Sequence, residues 1–90
     1  MLRIEEIAER AGTTLRLIGR ISSPDVQALK VRIAESPDPI ALDLEQVRLV
    51  DLDGARYLAA AERHGIELRR IPAYVREWVV LERRRLCDLE

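Results

Sequence analysis

The residues whose types and spacing could do chemistry are gathered in one stretch, "LVDLDGARYLAAAERHG", from Leu49 to Gly65. Asp51 and Asp53 stand two apart, directly before Gly54 and an Ala-rich amphipathic run. Such a pair suits a metal site, a helix start or a recognition loop. A shared divalent ion is the weakest of these, because calcium takes about six to eight oxygen ligands and the loop offers few. As helix caps, either aspartate could accept bonds from the orphan N–H groups of the first turn, worth roughly 0.5 to 2 kcal/mol. Left in solvent, the same charges could meet a partner.

Other reactive side chains are sparse. His64 lies where a helix would end and suits that place as a cation against the dipole better than it suits a metal. Cys87 is the only cysteine, so it cannot close an internal disulfide, and it reads as a small apolar residue in a reducing cytoplasm. There is no Gly-rich phosphate cradle and no Cys/His or Ser/His constellation, so neither catalysis, a metal nor a cofactor is expected.

The elements that must position Asp51 and Asp53 follow from periodicity. Ninety residues suffice for one domain over 1–90, and 15 basic against 16 acidic residues leave no field to gather nucleic acid or an anionic membrane. No apolar run reaches the 18 or so residues of a membrane span, and the acids in "MLRIEEIAER" argue against a signal peptide, so a cytoplasmic, unanchored protein is expected.

Residues 2–8 and 14–21 read as an antiparallel hairpin across "AGTT". Ser23 is expected to cap a first helix with Pro24 in its first turn, ending near Glu35. "IALDL" reads as a buried strand in which Asp43 needs a hydrogen-bonding partner, and "EQVRLVD" as a connecting loop. A second helix is expected from Gly54 to a left-handed Gly65, and "IELRRI" as a strand ended by Pro72. A last helix over 73–84 carries Tyr74, Trp78 and Leu81 at i, i+4 and i+7, a spacing that most often marks core. The order is β-β-α-β-α-β-α, an α/β fold with a four-stranded mixed sheet and its helices mainly on one face.

Two segments, "TLRLIGRISSPDVQALK" and "IALDLEQVRLVDLDGARYLAAAERHGIEL", make the chain resemble a STAS domain, the module of bacterial anti-sigma factor antagonists and of sulphate transporter tails. The resemblance covers most of the chain in a short form that stops after the third helix, and its more specific part is the second segment, which resembles the family's strand, loop, Asp-x-x-Gly (Asp51 and Gly54) and helix core. In antagonists of that family the residue before this glycine is usually a serine or threonine that a partner anti-sigma kinase phosphorylates. Here that place holds Asp53, which no such kinase can modify, and the place before it, often hydroxylated in the family, holds Leu52.

The resemblance implies a non-catalytic protein–protein interaction module in signalling or transcription regulation, binding through Asp51, Leu52, Asp53, Gly54, Arg56 and Tyr57. Arg56 and Tyr57 are the side chains most expected to reach a partner, since arginine and tyrosine are favoured in interface hot spots. The alternative branch is an accessory subunit of the ATPase of an ABC-type lipid transporter. "REWVVLERRRL" reads as a solvated basic helix end. The Tyr74, Trp78, Leu81 helix, if left uncovered, would be a route to a homodimer.

Overall fold

The computed structural model describes residues 2–88, with side chains given to Arg85; Cys87 therefore lies outside the described side chains. Its elements run β1 (Leu2–Glu9), β2 (Gly12–Ile21), α1 (Ser23–Glu35), β3 (Ile40–Val50), α2 (Leu52–Arg63), β4 (Glu67–Arg69) and α3 (Ala73–Asp88). The sheet is mixed: β1 pairs antiparallel with β2, and β2–β3 and β3–β4 pair parallel, in the spatial order β1-β2-β3-β4. Among the described residues no helix is long and apolar enough to cross a membrane.

One face of the sheet carries the core. Leu15 and Leu17 of β2 and Leu42 and Leu44 of β3 alternate inward and meet Val26 and Leu29 of α1, Ala55, Leu58 and Ala59 of α2, and Val75 and Val79 of α3. The alanines of α2 let its axis lie close to the strands, which is why the Ala-rich run sits at the centre. At its end Gly65 takes φ +92, and the Gly65 and Ile66 amides donate to the Glu62 and Ala61 carbonyls, closing the helix as a Schellman turn.

The opposite face is held by ions. Asp43, 4% exposed, accepts from the Arg70 guanidinium and the Glu45 amide, with Arg16 4.0 Å away. This supplies the partner its sequence position demands. Arg16 also faces Glu5, and Arg69 joins Glu9, Thr14 and Glu67. Arg70 reaches Asp43 from a left-handed backbone, φ +50, which turns the chain off the sheet. That turn limits β4 to three residues, so "IELRRI" is a strand only over Glu67–Arg69.

Three further expectations are corrected. "EQVRLVD" is not a loop: β3 runs on to Val50, with register shifts against β2 between Arg16 and Ile18 and between Gly19 and Arg20. These bulges break the alternation that marks a strand, and Asp43 accepts from the amide of Glu45 in the first of them. The cap of α1 is Ser22, one residue before Ser23. Tyr74, Trp78 and Leu81 are not core: α3 docks through Val75 and Val79, while the aromatic stripe lies exposed.

Two carboxylates paired with arginine, the buried Asp43 and the partly buried Glu62, shape the response to acid. Burial pushes the Asp43 and Glu62 carboxyls up, but hydrogen bonds from Arg70 and the Glu45 amide to Asp43, and from Arg76 and Arg83 to Glu62, outweigh it and hold both below the ordinary range. A carboxylate whose folded pKa lies below its unfolded value stabilises the fold above the unfolded value, and that contribution is lost as pH falls through the folded one. Urea denaturation across pH should therefore show a plateau above about pH 5 and a decline below about pH 4. Asp43→Asn should flatten the acid limb.

Candidate functional site

The corner where β2 and β3 hand the chain to α1 and α2 is built around Asp51. Its Oδ1 accepts from the Gly54 amide at 2.8 Å, capping α2, and its Oδ2 accepts from the Ser23 amide at 3.1 Å, capping the first turn of α1. One carboxylate thus fixes two helix N-termini, and its own amide donates to the Ile21 carbonyl at 3.1 Å, anchoring it to the end of β2. On α1 the Asp25 carboxylate accepts from the Ser22 amide at 2.9 Å and the Ser22 hydroxyl at 2.7 Å. Those bonds, the hydroxyl's above all, hold the Asp25 carboxyl below its ordinary range.

Gly54 is what lets α2 sit so near. A Cβ there would lie 2.8 Å from the Ile21 carbonyl oxygen and 2.8 Å from Val50 Cγ1. Gly54 is accordingly buried and offers no surface; it positions its neighbours. Leu52 and Asp53, the first two helical residues, face solvent instead. Asp53 makes no hydrogen bond or ion pair among the described residues, so the capping belongs to Asp51 alone and the Asp53 charge is left available.

Beside Asp53 a groove of about 400 Å³ runs between α1 and α2, lined by Ser23, Val26, Gln27, Lys30, Asp53, Arg56, Tyr57 and Ala60. Its floor is apolar, from Val26 and the half-buried Tyr57, and its rim carries Lys30 and Arg56 opposite in sign to Asp53. Burial raises the Tyr57 phenol above its ordinary pKa, so it stays a neutral O–H. Arg56 is tied at 3.6 Å to Glu82 of α3, which is 6% exposed, so the residue expected to reach outward is also a strut between helices.

The structure brings Asp51, Asp53, Arg56 and Tyr57 to one corner and adds Gln27 and Lys30 of α1, which the sequence reading did not name. Their signal is faint: two polar residues one turn apart on the outward face of a helix, as on any solvated surface. His64 lies at the other end of α2, its Nδ1 2.7 Å from the Ala60 carbonyl oxygen. No group of three or more His, Cys, Asp or Glu side chains gathers as a metal site among the described residues. No protein-family model matches this chain, and no curated protein matches it either.

Proposed function

We propose that this chain is a non-catalytic regulatory module that binds another protein at the corner formed by the N-termini of α1 and α2, in the manner of the STAS-type anti-sigma factor antagonists it resembles. The observation that carries this reading is Asp53: an exposed carboxylate at the head of a helix, relieved of capping by Asp51, on the rim of a groove with an apolar floor and cationic edge. The four-stranded mixed sheet with three helices is compatible with that fold.

At this position a serine could be switched by phosphorylation, which adds about 1.5 to 2 negative charges and three acceptor oxygens. Asp53 supplies about one charge and two oxygens permanently. The module therefore reads out one binding state, set by a fixed charge instead of a mark that comes and goes.

The test is affinity capture from host lysate with the chain itself and with Asp53→Ser, Asp53→Ala and Tyr57→Ala. A protein retained by the chain should change in affinity by roughly tenfold with the charge at 53 and by more with Tyr57→Ala. Retention that ignores all three substitutions would dismiss the corner as the binding surface. An ATPase among the retained proteins would place the module beside a transporter instead of a transcription regulator.

A further inference from the structure

The exposed stripe on α3 is not accounted for by the corner. Val75 and Val79 are fully buried and Glu82 follows them one turn on, so that side of the helix docks on the core. Tyr74, Trp78 and Leu81 form the neighbouring stripe and are 43%, 48% and 58% exposed. Tyr74 is tethered by its hydroxyl, which donates to the Val47 carbonyl at 2.9 Å. Trp78 and Leu81 have no such anchor among the described residues, and about half of each apolar surface is left in water.

Charges on the two flanks of α3 are used differently. Toward α2, Arg76 and Arg83 hold Glu62, and Arg56 lies against Glu82. On the far flank Glu77 and Arg84 are exposed and have no ion pair among the described residues. They stand two turns apart, roughly 10 Å along the axis, too far to pair with each other.

We propose that this face self-associates, a second copy of the chain laying its α3 antiparallel across a two-fold axis near Leu81. Two-fold antiparallel packing sets each flank against the same flank of the other copy. Glu77 then meets Arg84 of the second copy, twice over, and Trp78 on the opposite flank comes against the guanidinium of Arg85 of the second copy. Leu81 from each copy meets at the axis. The arrangement of an acid and a base two turns apart beside an apolar stripe is complementary to itself, which commits the face to a second copy over an unrelated protein. One helix pair gives an interface at the small end of specific ones, so a micromolar Kd is expected.

Sedimentation velocity from micromolar to millimolar concentration should show monomer giving way to dimer. Trp78→Ala should weaken the dimer by at least about tenfold. Glu77→Arg alone, which turns two attractive contacts repulsive, should weaken it roughly tenfold, and Glu77→Arg with Arg84→Glu should restore it. Both charges are exposed, and circular dichroism checks that each variant keeps its fold. A monomer at every concentration overturns the proposal, as does a dimer indifferent to Glu77→Arg or not restored by the exchange. A monomer whose Trp78 is shielded only in host lysate would overturn it too and assign the stripe to a different protein.

Discussion

Gly54→Ala should destabilise the fold by at least about 2 kcal/mol and lower the thermal midpoint by roughly 10 °C. Alanine would favour the helix by about 1 kcal/mol on propensity alone, so the sign of the result decides between local and tertiary control. Tertiary control wins here because the new methyl would meet two neighbours at 2.8 Å, one of them the Ile21 carbonyl oxygen. That oxygen cannot turn aside, since it also accepts from the Asp51 amide. α2 must lift at its first turn, taking Asp53 with it. Gly65→Ala is the control: φ is +92 but nothing lies within 4 Å, so only backbone strain of about 1 to 2 kcal/mol is imposed. Calorimetry of both variants measures the difference, and a Gly54→Ala protein as stable as the original would refute the close approach.

Asp51→Ala should cost about 2 kcal/mol, near the upper end for a helix cap, because two N-termini lose their acceptor together. The Gly54 amide, bonded at 2.8 Å, and the Ser23 amide, bonded at 3.1 Å, would both be left without a side-chain acceptor. Asp51→Asn keeps one side-chain oxygen and should lose about half as much. Urea denaturation gives the totals. Native-state hydrogen exchange separates the two helices: both amides should exchange faster in Asp51→Ala, and an effect confined to Gly54 would show that the carboxylate serves α2 alone. Asp51 and Gly54 share a hydrogen bond, so combining their substitutions should give less than the sum of the separate losses.

The sequence was legible where local chemistry and tertiary role coincide. "SSPD" marks the start of α1 because serine, proline and aspartate each suit a helix N-terminus, although with two adjacent serines the cap was assigned to Ser23 and falls on Ser22. Asp51 and Gly54 stood out as a pair only through the resemblance; that Asp51 and not Asp53 caps, and that Gly54 is packed and not at the surface, depends on the ends of β2 and β3, which only the fold brings there. The second half of β3 was hidden because two bulges disrupt its period of two. The brevity of β4 was hidden because it depends on Arg70 in a left-handed conformation, where glycine or asparagine would be the usual sign. On α3 two stripes share the spacing i, i+4, i+7. The one with larger side chains, Tyr74, Trp78 and Leu81, looked like core, yet the one ending in Glu82 is buried, because Arg56 of α2 lies against that carboxylate. Only the folded neighbour could reveal it.

Asp53 and Gly54 are adjacent in the chain and opposite in constraint: Gly54 is jammed against the ends of two strands, while Asp53 is exposed and makes no hydrogen bond or ion pair among the described residues. A single codon change at 53 can reverse, remove or restore a charge at the exposed corner while the scaffold stays unaltered. Two such chains can therefore differ in the charge they present at this corner and still share one shape.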